Sequence, residues 1–468
     1  MIRRQELTSV SLIEAYIRRI DEVNFLINAV VIKNFKDALK QAAEVDSYIN
    51  SLDKKSEEYK KLDIDKPLLG IPFTIKDSFC IKDLVCTVGY AHRKDEISKD
   101  DAEVVKRLKN AGAILLAVTN VPEGIMWGET ANTLFGRTNN PYDTRRAPGG
   151  SSGGEAALIS SGGSIFGIGS DFAGSIRGPA SFCGIYGFMP SPDIVPLDGS
   201  FPLVKTGYRT KMWRVGPLCR YAEDLSLVLK VIAGEKSDTI LHLSQPVDIK
   251  KLKIFYMEGI RSPYVENPNN DVINVLRKAV HYFEEKYNML TYRIDFPLIH
   301  ESTNFWSVSQ DDPDYPPFYK EMSGGKYDVD CWKELFLFFL GRSQHTLPAI
   351  ISGIQSSGAS SEIEKNDILY KRDQLKQTLE TLLGNYGILI FPTFPTLASF
   401  HHYRLFTPPF FSMYCGLWNA INFCAVNCPM GLDKNGLPMH VQIVAPKNLD
   451  RLLIKIAEEL EKEYGWVL

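Results

Sequence analysis

Between Gly149 and Gly187 the chain places twelve of its 34 glycines, together with two serine clusters separated by apolar runs. The stretch reads GGSSGGEAALISSGGSIFGIGSDFAGSIRGPASFCGIYG. A flexible Gly/Ser linker has no reason to carry AALI or SIFGIG, so these glycines suit close backbone approach within a packed region. A phosphate loop needs Lys followed by Ser or Thr after its glycines, and a dinucleotide fingerprint needs G-x-G-x-x-G directly after a strand; neither pattern is met. What remains is a glycine-rich turn in an ordinary core or a catalytic serine site. Gly149-Gly150-Ser151-Ser152-Gly153-Gly154 and Asp171-Phe172-Ala173-Gly174-Ser175-Ile176-Arg177 are the segments that would carry it. No histidine lies near either serine cluster in sequence, whereas Lys76, in Gly70-Ile71-Pro72-Phe73-Thr74-Ile75-Lys76-Asp77, stands 75 positions before Ser151.

These three segments, in this order and spacing, resemble the amidase signature family, and the likeness extends through Thr119-Asn120, GRTNNP (136–141), Arg146 and the segment from Gly436 to Gln442 to the terminal KEYGWVL. NNPYD (139–143), GPLCRYAEDL (216–225) and FPTFPTLASFHH (391–402) place it nearest the type 2 fatty-acid amide hydrolase branch of that family. The resemblance implies a Ser–cis-Ser–Lys triad with Lys76 as base, Ser151 as proton bridge after a cis peptide, and Ser175 as nucleophile. It puts the backbone N–H groups of Phe172, Ala173, Gly174 and Ser175 in an oxyanion hole, with Ser152 in support. Asp171 and Arg177 flank the loop and are expected to brace it by charge-assisted hydrogen bonds. The implied activity is hydrolysis of fatty-acid primary amides or N-acyl amines through an acyl-enzyme at Ser175, with a small-molecule lipid amide as partner and no metal or organic cofactor. Peripheral membrane contact and a homodimer are compatible with it. The alternatives are a small-amide hydrolase, an amidotransferase subunit on the same fold, and an amidase-like binding protein with impaired catalysis.

The family implies an α/β fold, with a mixed twisted central sheet covered by helices on both faces. We expect one domain over residues 1–468, with a more variable substrate-side region at about 253–385. Short apolar runs bounded by turn residues, LLGIPFTI and AILLAV, alternate with helical patterns, which independently argues for α/β layering. Helices are expected at Ser9–Val23, Lys36–Ile49, Glu103–Lys109, Ser152–Ser161 and Asp271–Lys286, and strands at Ser164–Ser170, 253–258 and 290–294. Ser175 then falls in the tight loop after a strand. Residues 301–326, rich in Pro, Asp and aromatics, read as irregular surface. CWKELFLFFL (331–340) is apolar on nearly every side, as a core helix or as a lid or channel wall touching lipid.

A formal net charge of −3 gives no basic excess, so nucleic acid is not expected as a partner. The eight cysteines lack the spacing of a disulfide scaffold, which points to a reducing, intracellular compartment, cytoplasmic or at a membrane surface. Cys424 and Cys428 read as buried thiols, not a metal site. No apolar run approaches the roughly 20 residues of a membrane span, and the first residues lack a signal-peptide core.

A lysine base must be neutral, so from a reference near ~10.4 its pKa must fall by about 3, and burial among Ile71, Pro72, Phe73 and Ile75 is the expected cause. Asp77 would oppose the shift if its carboxylate pointed inward. Four departures from the family pattern bear on the pocket. Ala173 stands where a glycine is usual and would be strained at positive φ; Asn422, Cys424 and His440 replace Gly, Pro and Gly and are expected to narrow the site. His401-His402 is read as surface polar.

Overall fold

A computed structural model describes residues 1–203, 206–311, 315–356 and 361–465. The sheet strands are β1 (Val30–Lys33), β2 (Pro72–Lys76), β3 (Ile114–Thr119), β4 (Phe166–Asp171), β5 (Tyr186–Met189), β6 (Arg214–Cys219), β7 (Lys253–Tyr256), β8 (Thr291–Arg293), β9 (Gly387–Phe391), β10 (Cys424–Leu432) and β11 (Pro438–Ala445). They form one 11-stranded sheet in the order β1-β3-β2-β4-β6-β5-β10-β11-β9-β7-β8. Pairing is parallel for β2 with β3, β2 with β4, β9 with β7 and β7 with β8, and antiparallel elsewhere, so the sheet is mixed as expected.

Alternation along the strands sends side chains into layers on opposite faces. On one face Phe73, Ile75, Ile168, Ile390 and Ile443 pack with Val105 and Leu108 of the helix Glu103–Asn110, Leu276 and Phe283 of Asn270–Tyr287, and Leu453 of Asp450–Tyr464. On the other, Ile114 and Leu116 meet the helices Ser9–Ile27, Gly153–Ser160 and Arg177–Cys183, while Leu389, Phe391 and Val444 meet Leu417 and Trp418 of Met413–Ala420. Helices thus cover both faces.

Local signals set several boundaries. Thr8 caps the first helix by accepting the Ser11 N–H at 3.0 Å, and that helix continues to Ile27 before Asn28 closes it in the left-handed region. The second helix spans Phe35–Ser51, close to its expected limits.

Two expectations need correction. Residues 301–326 are not wholly irregular: Ser302–Ser309 and Phe318–Glu321 are helical, with Phe305 and Phe318 buried, while 312–314 lie outside the described residues. Aromatic side chains that suggested exposed surface are instead packed inward. The helix Cys331–Phe339 is not a core helix, because of its residues only Cys331 is buried and Trp332, Phe336 and Phe339 are 69%, 65% and 75% exposed. Among the described residues no helix is long and apolar enough to cross a membrane.

The glycines of FGIGSD follow from layer spacing. A Cβ on Gly167 in β4 would lie 1.7 Å from Glu155 Oε2 and 2.7 Å from its Cδ, so the Glu155 carboxyl can lie against this strand only over a bare backbone. Gly167→Ala is therefore expected to cost about 1–3 kcal/mol of stability through overpacking, read as a lowered urea midpoint with an unchanged m-value. An unshifted midpoint would mean that the Glu155 carboxyl can move aside freely.

Candidate active site

Lys76 ends β2 and is fully buried. Its Nζ lies 2.7 Å from Ser151 Oγ, 2.9 Å from Ser170 Oγ and 3.4 Å from the Ser170 carbonyl. All three partners are uncharged oxygens. A neutral amine fits them with its two N–H groups on Ser170 and its lone pair facing the Ser151 hydroxyl. Burial pulls Lys76 down to about 7, outweighing the opposing field of Asp171 and the one Glu155 would exert if ionised. Asp77 does not oppose this by contact: its carboxylate accepts the Thr87 N–H at 2.9 Å and the Thr87 hydroxyl.

The Gly150–Ser151 peptide is cis. Ser152 follows as N-cap of the helix Gly153–Ser160, and its N–H donates to the Ser175 carbonyl at 3.2 Å, which joins the two serine segments. No hydrogen bond between the Ser175 and Ser151 side chains occurs among the described residues, so the expected bridge is formed on its Lys76 side only. Hydrogen bonds of this kind are often loose before substrate binds.

Ser175 lies where β4 turns into the helix Arg177–Cys183, and the turn is shaped by a buried ion pair. Asp171 and Arg177 are fully buried and meet at 3.0 Å. Asp171 also accepts the Gly174 N–H at 2.7 Å and the Ile176 N–H at 3.0 Å. Burial pushes this carboxyl up, but Arg177 and the amide donors win and hold it at about 2. Arg177 reaches onward to Asn419 Oδ1 at 2.6 Å and Gln442 Oε1 at 3.0 Å. The expected bracing role therefore has a full set of partners. One oxyanion assignment is corrected by the same geometry: the Gly174 N–H is committed to Asp171, which leaves Phe172, Ala173 and Ser175 as candidate donors.

The departures from the family pattern fall mostly outside strain. The left-handed position in the loop is Gly174, at φ 110°, where a Cβ would meet Cys415 at 2.5 Å; Ala173 is not among the residues at positive φ. Asn422 does adopt φ 63°, a conformation asparagine tolerates, and its amide donates to Tyr208 Oη at 2.7 Å. Cys424 is buried in β10 with its thiol directed at the Ala445 and Pro446 carbonyls, in the core and away from the loop. His440 is fully buried, and burial lowers it to about 4, so it is neutral. His401 is less exposed than expected: its ring contacts Glu129 at 3.6 Å and the Thr144 carbonyl at 3.3 Å. Cys424 and Cys428 are buried free thiols.

Sequence reasoning did not single out Ser170, Glu155, Thr74, Asn419 or the role of Gln442. Glu155 had a signal, as the only charge in the apolar helix GGEAALIS. Asn419 had none, because it approaches from a segment 242 residues beyond Arg177.

With this geometry in place, comparison with known proteins places it. Residues 11–454 match the amidase family. Fatty-acid amide hydrolase 2-A of Danio rerio is 41% identical, over 99% of this chain and 87% of its own length. Fatty-acid amide hydrolase 2 of Homo sapiens is 36% identical, over 100% of this chain and 88% of its own. A solved structure of a fatty acid amide hydrolase superposes with a TM-score of 0.76 at 20% identity, over 99% of this chain and 84% of that one, a likeness of fold. The chain is a member of the amidase family.

Proposed function

We propose that this protein is a serine amidase that hydrolyses fatty-acid amides, primary amides or N-acyl amines, to the free acid and amine. The observation that carries the chemistry is Lys76: a fully buried amine drawn to about 7, 2.7 Å from the hydroxyl of Ser151. A lysine with no functional demand on it would be solvated and charged. The substrate class is supported by the fatty-acid amide hydrolases that match almost the whole chain.

In this reading Ser175 Oγ attacks the amide carbonyl while its proton passes to Ser151 and the Ser151 proton passes to Lys76 Nζ. The oxyanion accepts from the N–H groups of Phe172, Ala173 and Ser175. The relay then reverses, the amine leaves with the proton, and water releases the fatty acid from Ser175 by the same route. Peripheral contact with lipid is assigned to the helix Cys331–Phe339, whose exposed Trp332, Phe336 and Phe339 form an apolar surface on the 253–385 side of the molecule.

Ser175→Ala is expected to abolish both amide hydrolysis and covalent labelling by a fluorophosphonate, with the fold retained by circular dichroism; labelling that persists at another serine would reassign the nucleophile. Because the base acts only when deprotonated, kcat/KM should rise as pH passes upward through about 7 and level off above it. Lys76→Ala should lower turnover by at least about a hundred-fold, the scale of general-base catalysis, and recover partly at high pH where hydroxide substitutes. An unchanged pH–rate profile in that variant would make Lys76 structural.

Acyl length tests the substrate class. Each methylene buried is worth about 0.8 kcal/mol, so kcat/KM across saturated acyl amides should climb by orders of magnitude from short to long chains if burial persists in the transition state. The series is measured below aggregation, and a flat or falling series favours a small-amide hydrolase.

A further inference from the structure

We infer that Glu155 is a protonated, uncharged positioning residue of this site: as a hydrogen-bond donor to Thr74 it keeps the ground beneath Lys76 free of a competing anion. The inference rests on the reading of Lys76 as the base.

Counting protons carries it. Four short contacts run through the buried cluster between β2, β3, β4 and the helix Gly153–Ser160. Glu155 Oε2 meets Thr74 Oγ1 at 2.7 Å, Thr74 Oγ1 meets Ser164 Oγ at 2.9 Å, Ser164 Oγ meets the Phe166 carbonyl at 2.9 Å, and Thr119 Oγ1 meets Glu155 Oε1 at 2.8 Å. A carbonyl only accepts, so the Ser164 proton goes to Phe166. Thr74 must then give its single proton to Ser164, and Thr119 gives its own to Oε1. The remaining contact, Thr74 to Oε2, has no proton unless Glu155 supplies it. An ionised carboxylate would leave three protons for four contacts; a carboxylic acid fills all four in one direction.

The surroundings agree. Glu155 is fully buried, and burial raises it to about 8 against the opposing pull of Thr74, Thr119 and Lys76. The titratable groups facing the cluster are Lys76 from β2 and Asp171 from the end of β4, and Asp171 is paired with Arg177 from the helix that follows. Were Glu155 ionised, its field would favour the ammonium form of Lys76 and hold the proton that catalysis needs removed. Neutral Glu155 and neutral Lys76 are thus the paired state, and the carboxyl touches neither substrate nor the reacting atoms.

Glu155→Gln is the test, because an amide copies a protonated carboxyl in shape, with its nitrogen donating to Thr74 and its oxygen accepting from Thr119. The infrared difference between wild-type protein and Glu155→Gln at pH 7 should contain the carbonyl band of a protonated carboxyl; carboxylate bands in its place would overturn the inference. This readout needs no activity, so it stands apart from the amidase reading. In the pH–rate profile, the inflection assigned to Lys76 should stay within a few tenths of a pH unit of wild type. A downward shift of one unit or more would show that an anion had been removed, and would overturn it. A Gln variant that fails to fold would also count against it, since the replacement preserves every contact of the protonated form.

Discussion

Everything in the proposed mechanism depends on storing an amine without its proton inside the protein. Burial, against opposing charge nearby, draws Lys76 down from 10.5 to about 7. A single uncommitted carboxylate about 4 Å away would interact by about 4 kcal/mol at an effective dielectric of about 20, which is worth about 3 pKa units and would cancel that shift. The structure meets this constraint by giving each nearby acid its own partners. Asp171 is tied to Arg177 and to backbone N–H groups, and Asp77 turns to Thr87. What touches Nζ is serine oxygen and one carbonyl. The triad is therefore a property of the wider arrangement of charge, not of three side chains.

The Asp171–Arg177 pair also decides the shape of the nucleophile loop. Through Arg177 it reaches Asn419 on the helix Met413–Ala420 and Gln442 on β11, so two distant segments converge on one turn. Breaking one partner of such a buried pair leaves an unpaired charge and typically costs about 3–5 kcal/mol, whereas removing both can be nearly neutral. The pair is accordingly better understood as fixing which backbone N–H groups face the substrate than as a source of net stability. Its use of the Gly174 N–H fits this view, since that N–H donates to Asp171 and not to the site proposed for the oxyanion.

Much of this was legible in residue order. The two serine clusters lie within one contiguous glycine-rich stretch, and their elements are short and sharply bounded, so Ser175 was placed in the loop after a strand from pattern alone. The buried acids were harder. Glu155 sits amid apolar residues with no partner nearby in sequence, and Thr74 and Thr119 reach it only because β2 and β3 lie side by side under its helix. Apolar periodicity also misled: CWKELFLFFL has the composition of a core helix, but its position at the edge of the fold leaves its aromatics outward. Composition says that a surface seeks an apolar neighbour, not that the chain itself provides one.

The segment from 301 onward, which patterning dismissed as surface, is tied to the loop that holds Ser175. Trp306 Nε1 donates to the Phe172 carbonyl at 3.1 Å, and the Phe172 ring packs on both Trp306 and Trp213 with centroids 5.6 and 5.2 Å apart. Phe172 begins the loop that presents Ser175. A residue on the helix Ser302–Ser309 thus holds a peptide unit of the proposed oxyanion hole, and displacement of that helix would be felt at the proposed donors. Catalysis draws only on interactions that strengthen in the transition state, and this coupling gives contacts made far along an acyl chain a route to the reacting carbonyl. If the proposed mechanism holds and this helix meets the acyl chain, acyl recognition would act on turnover as well as on binding, because the helix and the loop that holds Ser175 share a hydrogen bond.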